Sequence, residues 1–269
     1  MHGVVDQVTL DNYLLSQPKI IHQVWFGTIP NKHSARKAYE KLELYRKSWP
    51  EKNPGWVVHE WSKAQSLQLV KTHYPEHLDM YKRFKYEIQR CDAVRYFILH
   101  RYGGIYADMD YYCNRSFDDV LALYKNPIYL VQTPNRVGKY VSNSLMYSVK
   151  GNVFWKKVFL EMENRRNKYD LYLSKHVIVM CTTGPSILNH VFQRYRMRYP
   201  VGIYPSDNFH PHGITTEFKT LSLPDSVYAV HIGKGSWEGG DSKLLLFLLR
   251  EWKLVVSLIA TMYIPIFYV

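Results

Sequence analysis

The sequence predicts an α/β protein whose core is a mainly parallel sheet covered by helices. Short apolar runs bounded by glycine or proline alternate with amphipathic stretches of helical length, and this alternation is typical of parallel sheets. The 269 residues are 46% hydrophobic, which is enough for a substantial core. Ligands of such sheets bind beyond the carboxyl ends of the strands. The residues that follow each predicted strand are therefore the first candidates for a site.

The first half of the chain shows the alternation most clearly. An apolar run after Pro18 is bounded by Gly27 and Pro30, as in a buried strand. Apolar residues then recur at helical spacing ahead of Gly103 and Gly104. The predicted elements are a strand over residues 19–26, a helix over 34–48 that ends before Pro50, a strand over 56–61, a helix over 63–72 with Ser62 as its N-cap, a helix over 87–101 and a strand after the glycine pair.

The second half gives three further strands and two helices, followed by a polar glycine-rich loop and an apolar tail. Residues 254–269 carry no charge, but these 16 residues are short of the about 20 that cross a bilayer. A buried helix, an interfacial anchor and a single span are all compatible with this tail. The predicted segments are a leader over 1–17, strands over 127–132, 140–147 and 227–232, helices over 152–166 and 184–195, the loop 233–240 and an apolar helix over 241–269.

The charge balance favours anionic partners. Lysine and arginine number 35 against 23 aspartates and glutamates, which leaves a net charge of +12. The basic residues are scattered and no nucleic-acid-binding motif appears, so we expect no nucleic acid partner. The three cysteines, Cys91, Cys113 and Cys181, have neither the spacing of a zinc site nor that of a disulfide framework.

Asp108 and Asp110 are the strongest candidate site residues. They follow the strand after the glycine pair, and a spacing of two places both carboxylates on one face of a strand. Such a pair can hold a hard divalent cation that keeps open positions for phosphate oxygens. A solvated strand end is the alternative interpretation. An aspartyl nucleophile of the phosphatase kind is disfavoured, because Tyr111 and Tyr112 stand where a small hydroxyl residue is wanted.

Other candidates come from both ends of the chain. Asp92 and Arg95 share a helix face, where they could form a simple ion pair or border the aspartate site. Trp25 could stack on a base or belong to the core, and His231 could complete a metal site. The remaining candidates are His22 on the first strand, Tyr106 before the aspartates, Ser236 and Trp237 in the late loop, and the hydroxyls of residues 182–183 ahead of a helix.

The order of these motifs resembles the DXD-motif glycosyltransferases of family 32. This family includes the fungal initiating α-1,6-mannosyltransferase, the inositol phosphoceramide mannosyltransferases and the α-1,4-galactosyltransferases of glycolipid synthesis. The resemblance extends from residue 18 to about residue 253. The matching segments are residues 18–25, 86–99, 101–110 and 183–185, His231, and residues 235–237.

The resemblance implies a GT-A fold, which is a Rossmann-like single domain, here over residues 18–240. It also implies a nucleotide-sugar donor, a Mn²⁺ (or Mg²⁺) ion and retention of the anomeric configuration. The implied roles are Asp110 as direct metal ligand, Asp108 on the metal and on the ribose or sugar, Asp92 and Arg95 on the donor sugar, Trp25, Tyr106 and the backbone near His22 at the nucleotide, His231 and Ser236 on the metal or phosphate, and Trp237 in the donor pocket.

The expected function is transfer of a hexosyl group, mannose from GDP-mannose, to a glycan or membrane glycolipid such as inositol phosphoceramide. A galactosyl- or glucosyltransferase that uses a UDP-sugar is one alternative. A non-catalytic, membrane-associated sugar- or lipid-binding relative is another. We expect a membrane surface as partner, at a Golgi- or ER-type membrane or a cytoplasmic membrane face.

Overall fold

The computed structural model of the chain describes residues 19–27, 33–133, 140–166, 168, 174–211 and 223–232. The predicted leader, the late loop with Ser236 and Trp237, and the apolar tail lie outside the described residues. The strands are β1 Ile20–Val24, β2 Val57–Trp61, β3 Gly104–Ala107, β4 Tyr111–Cys113, β5 Ile128–Gln132, β6 Val141–Ser148, β7 Val201–Tyr204 and β8 Ala229–His231. The α-helices are α1 His33–Lys52, α2 Lys63–His73, α3 Leu78–Arg83, α4 Glu87–Tyr102, α5 Phe117–Leu123, α6 Phe154–Arg165, α7 Lys175–Thr182, α8 Pro185–Tyr195 and α9 Ser206–Phe209, and a 3₁₀ turn covers Pro75–His77.

Six strands form one mixed sheet in the order β2-β1-β3-β6-β5-β7. Five of them point the same way, and β6 is antiparallel to both of its neighbours. The prediction of an α/β protein with a mainly parallel sheet is confirmed. The antiparallel direction of β6 was not predicted. A second, small sheet pairs β4 with β8. The carboxyl ends of β1, β2 and β3 therefore lie side by side at one edge.

Two apolar clusters cover the two faces of the large sheet. Neighbouring residues of one strand belong to different clusters, as Ile105 and Tyr106 of β3 do, because successive side chains of a strand point to opposite faces. Helix α4 packs its apolar residues into one cluster, and Trp49 of α1 belongs to the other. The sheet is thus buried on both sides, which leaves its strand ends as the place for polar chemistry.

Helix α1 differs from its prediction because it continues through Pro50 to Lys52. A proline inside a helix removes one hydrogen bond and crowds the carbonyl four residues earlier. Tertiary contacts hold this last turn in place. Trp49 is fully buried and donates its indole N–H to the Tyr111 carbonyl at 3.0 Å. Asn53 caps the turn, since its backbone N–H and its Nδ2 both donate to the Trp49 carbonyl.

The glycine pair between α4 and β3 has a steric reason. Gly103 and Gly104 have φ angles of +69° and +85°, which other residues rarely adopt. A Cβ atom on Gly104 would lie 2.5 Å from the carbonyl oxygen of Ile20. The missing side chain thus lets β3 approach β1 closely and directs the chain toward the aspartates.

Candidate active site

Asp108 and Asp110 lie in a tight turn at the carboxyl end of β3. The strand ends at Ala107, so the pair follows the strand as predicted, but the argument that strand spacing places both carboxylates on one face was wrong because they lie in the turn. The Asp108 N–H donates to the Ser144 carbonyl at 2.8 Å, and the Tyr111 N–H donates to the Asp108 carbonyl at 3.1 Å. These bonds close the turn between β3 and β4. Both carboxylates are partly exposed, at 26% and 32% of their side-chain surface.

His231 reaches the aspartate turn through the small sheet. Strand β8 pairs with β4 so that His231 lies opposite Tyr111, and the two rings stack at 4.6 Å. The Nε2 atom of His231 lies 3.0 Å from Oδ1 of Asp110, across 121 residues of sequence. Ligand atoms of Asp108, Asp110 and His231 all lie within 4.8 Å of one another. Two carboxylates and an imidazole are a donor set that suits Mn²⁺, so these residues fit the ion that the fold family implies.

The contact between Asp110 and His231 changes the pKa of both groups. Burial alone would raise the pKa of Asp110, but the neighbouring imidazolium and its hydrogen bond outweigh burial and hold this pKa below the usual value. Burial alone would lower the pKa of His231, and the Asp110 carboxylate reverses that effect and raises it. Burial raises the pKa of Asp108, although the nearby Arg95 opposes the increase. Both shifts favour the ionised form of the group concerned, the carboxylate of Asp110 and the imidazolium of His231.

Arg95 of α4 joins two carboxylates. Its Nη2 lies 2.8 Å from Asp92 Oδ1, and its Nη1 lies 3.1 Å from Asp108 Oδ1. Nη1 also donates to the Asn143 carbonyl at 2.8 Å, and the guanidinium covers the Tyr106 ring at 4.7 Å. Burial would lower the pKa of Arg95, and the surrounding acidic groups raise it instead, so the guanidinium stays charged. The predicted ion pair between Asp92 and Arg95 is confirmed, and the same guanidinium also contacts Asp108 of the aspartate turn.

Asp92 is held by residues that the sequence did not point to. Asn143 of β6 donates its Nδ2 N–H groups to Asp92 Oδ1 at 3.1 Å and to the Tyr96 hydroxyl at 3.0 Å. Thr183 donates its hydroxyl to Asp92 Oδ2 at 3.5 Å. Burial raises the pKa of Asp92 to about 6, against the opposing effect of Arg95. Nothing in the spacing of the sequence marks Asn143, because it comes from a different strand some fifty residues later.

The hydroxyl residues before α8 do not cap that helix. Thr182 accepts a hydrogen bond from Gln89 Nε2 at 2.7 Å and donates to the Ile178 carbonyl. The N-cap position of α8 is Gly184, which makes no side-chain cap bond. Both hydroxyls instead bond to other parts of the fold, Thr182 to Gln89 and Ile178 and Thr183 to Asp92. They fix α7 and α8 against α4, beside the site.

The three residues predicted at the nucleotide, His22, Trp25 and Tyr106, differ from one another in burial and in their partners. The His22 side chain is buried in β1, where Trp61 Nε1 donates to its Nδ1 at 3.2 Å and its Nε2 donates to the Gly103 carbonyl at 2.9 Å. Both ring nitrogens are thus used inside the fold. Trp25 follows β1 at the sheet edge and is partly exposed. Tyr106 is buried and donates its hydroxyl to Asp108 Oδ1 at 2.7 Å, so it contacts the aspartate turn directly.

The family described as "Glycosyltransferase sugar-binding region containing DXD motif" matches residues 40–126, which include α4 and the aspartate turn. Inositol phosphoceramide mannosyltransferase 3 of Schizosaccharomyces pombe is 27% identical over 254 residues, which are 94% of this chain and 65% of that protein. Mannosyl phosphorylinositol ceramide synthase SUR1 of Saccharomyces cerevisiae is 34% identical over 185 residues, covering 68% of this chain and 44% of the relative. The chain thus spans about half to two thirds of the length of these relatives.

The solved structures that match this chain have low sequence identity to it. PaToxG glycosyltransferase has a TM-score of 0.49 and 14% identity, over 70% of this chain and 74% of its own. The glycosyltransferase GlyE of Streptococcus pneumoniae also has a TM-score of 0.49, with 12% identity over 91% of this chain and 64% of its own. The sequence matches, together with the aspartate turn that they include, identify the family: the chain belongs to the glycosyltransferases whose sugar-binding region contains a DXD motif.

Proposed function

We propose that the chain is a metal-dependent, retaining glycosyltransferase of the GT-A type. It moves a hexosyl group, mannose from GDP-mannose, to a glycan or membrane glycolipid acceptor such as inositol phosphoceramide. The observation that carries this proposal is the group of Asp108, Asp110 and His231, with the Arg95–Asp92 pair beside it. The choice of sugar and acceptor is supported by the relatives, which are named as inositol phosphoceramide mannosyltransferases.

The formal charges of these side chains support a cation at the site. Three carboxylates, those of Asp92, Asp108 and Asp110, face one guanidinium and one imidazole. With a neutral imidazole the formal sum is −3 + 1 = −2, which a divalent cation would balance. Asp108, Asp110 and His231 would hold this ion. A bound Mn²⁺ ion would supply Lewis-acid stabilisation of the negative charge that develops on the leaving diphosphate.

The chain's own residues orient the donor and its surroundings. Arg95 shares its guanidinium between Asp92 and Asp108, so the helix carboxylate and the turn carboxylate keep a fixed separation. Asn143 and Thr183 occupy further hydrogen-bonding positions of Asp92 and limit its rotation. Asp92 and Arg95 are the residues that we assign to the sugar hydroxyls. A fixed geometry of this kind lowers the entropic cost of reaching the transition state.

The test of donor identity is nucleotide release from a panel of sugar nucleotides. The purified chain would be incubated with GDP-mannose, UDP-galactose or UDP-glucose, each with Mn²⁺ or with EDTA. The proposal expects Mn²⁺-dependent release of GDP from GDP-mannose, with faster release once inositol phosphoceramide is added. Release from a UDP-sugar only would replace the mannosyl assignment by the galactosyl or glucosyl alternative.

A non-catalytic sugar- or lipid-binding relative is the second candidate. Such a protein would keep the fold and the sugar-binding region and would lack turnover. Binding of GDP-mannose measured by calorimetry, without nucleotide release from any donor, would favour it. The contacts of Arg95 with Asp92 and Asp108, and the proximity of Asp110 to Asp108, favour the enzyme.

The membrane surface is part of the same proposal. Among the described residues, no helix combines the length and the apolar character that a membrane span requires. We assign the membrane contact to the apolar residues 241–269, and the location to a Golgi- or ER-type membrane or a cytoplasmic membrane face. Flotation of the full chain with phosphatidylcholine vesicles, with and without phosphatidylinositol, tests this. A chain that stays in the soluble fraction with both vesicles would contradict the membrane contact.

A further inference from the structure

His210 lies directly behind His231, on the side of the ring that faces away from Asp110. The Nε2 atom of His210 is 3.1 Å from Nδ1 of His231, while Nε2 of His231 is 3.0 Å from Asp110 Oδ1. The two imidazole rings meet edge to face, with their centroids 4.7 Å apart. The sequence contains 12 histidines and gave no reason to select this one. His210 therefore extends the row of contacts that begins at the aspartate turn.

An aromatic stack fixes the segment that carries His210. The ring of Phe209 stacks on Tyr204 at 4.3 Å and on Tyr228 at 5.2 Å. The His210 N–H donates to the Ser206 carbonyl at 2.7 Å, and the Tyr228 N–H donates to the Asn208 carbonyl at 2.8 Å. The end of α9 is thus attached to the chain just before β8. His210 and His231 are held at a fixed separation because their segments pack on each other.

The protonation of the His231 ring decides which of its nitrogens can bind an ion. A nitrogen that binds a metal ion must be free of a proton, so a ring that binds through Nε2 carries its proton on Nδ1. A histidine ligand usually donates this other N–H to an acceptor, which fixes both the tautomer and the orientation of the ring. The acceptor that the structure provides at this position is Nε2 of His210.

We propose that His210 is a positioning residue for the metal site. It accepts the Nδ1–H of His231 and keeps the Nε2 lone pair of that ring directed at the aspartate turn. This inference rests on the metal site of the proposed function. His210 is not itself a ligand in this arrangement, because the three ligand atoms that lie close together belong to Asp108, Asp110 and His231.

The experiment compares two substitutions at position 210. His210→Phe keeps a ring that packs against His231 and Tyr111 but has no acceptor, whereas His210→Gln keeps an acceptor atom close to the position of Nε2. Binding of Mn²⁺ alone would be measured from the electron paramagnetic resonance signal of the free ion. We expect His210→Phe to weaken Mn²⁺ binding about 10- to 100-fold. His210→Gln should recover most of this loss.

Circular dichroism and thermal unfolding of the free protein would establish that both variants fold. A folded His210→Phe variant that binds Mn²⁺ as tightly as the unsubstituted chain would overturn the inference. Equal loss in both variants would also overturn it, since the ring and not the acceptor would then be what matters. The proposed function fails by a different result, namely Mn²⁺ binding by the unsubstituted chain without nucleotide release from any donor.

Discussion

The burial of His22 predicts a pH dependence of folding stability. This ring is 1% exposed, and both of its nitrogens are used in hydrogen bonds to Trp61 and Gly103. Burial lowers the pKa of His22 from 6.5 to about 4. A group whose pKa is lower in the folded protein binds protons mainly in the unfolded chain below pH 6.5. The contribution of the neutral His22 ring to the free energy of unfolding is therefore fully present above pH 6.5. It is lost as the pH falls toward 4.

The size of the effect follows from the two pKa values. Their difference is about 6.5 − 4 = 2.5, and each pKa unit corresponds to about 1.4 kcal/mol, which gives about 3.5 kcal/mol over the whole window. At pH 5 roughly 2 kcal/mol of this is already lost. A loss of this size is a large fraction of the stability of an ordinary domain.

Urea unfolding at pH 7 and at pH 5 measures this loss in the unsubstituted chain and in His22→Gln. The glutamine carboxamide can accept from Trp61 and donate to the Gly103 carbonyl, but it does not titrate. We expect the variant to lose about 2 kcal/mol less than the unsubstituted chain between these pH values. His73→Gln is the matched control, because His73 is exposed. The same pH dependence in His22→Gln and in the unsubstituted chain would refute the reasoning.

Two further predictions concern β3. Gly104→Ala should lower the free energy of unfolding, measured in urea, by about 2 kcal/mol or more, because its Cβ would lie 2.5 Å from a backbone carbonyl oxygen. The control Gly151→Ala, where φ is +75° and the space is open, should lower it by only about 1 kcal/mol. An equal loss of stability in Gly104→Ala and Gly151→Ala would contradict the close approach of β3 to β1. Tyr106→Phe removes the hydroxyl that donates to Asp108 and should slow nucleotide release about 10-fold, whereas Tyr140→Phe at an exposed position should not. An unchanged rate in Tyr106→Phe would contradict the role of this hydroxyl.

Periodicity and turn residues predicted most of the larger elements. Helix α2 begins after Ser62, which forms the expected cap with Gln65, and α4 ends at the glycine pair. These features are local, because they depend on residues within one or two helical turns. The same local rule failed at Pro50, where Trp49 and Asn53 hold a helical turn that a proline disfavours. Contacts from a distant segment outweighed the local preference there.

The parts of the site that the sequence did not predict come from distant segments. The reversal of β6 puts Asn143 beside Asp92, and the direction of a strand cannot be read from its own residues. His210 reaches His231 from a segment that is held by the aromatic stack of Phe209 with Tyr204 and Tyr228. The aspartate pair and α4 were predicted because they are neighbours in the sequence. His231 was named from its residue type and from the family resemblance, whereas Asn143 and His210 could not be predicted, since tertiary packing alone brings them to the site.

The proposed metal site is tested most directly by removing one carboxylate. Asp110→Asn keeps the shape of the side chain and removes the charge that faces His231. Asp79→Asn, a surface substitution at a carboxylate paired with Arg83 and Arg166, is the control. Mn²⁺ binding and Mn²⁺-dependent GDP release from GDP-mannose would be measured on the same preparations. We predict that Asp110→Asn weakens Mn²⁺ binding and slows GDP release, each by on the order of 100-fold, while Asp79→Asn changes neither. Full binding and release in a folded Asp110→Asn variant would contradict it.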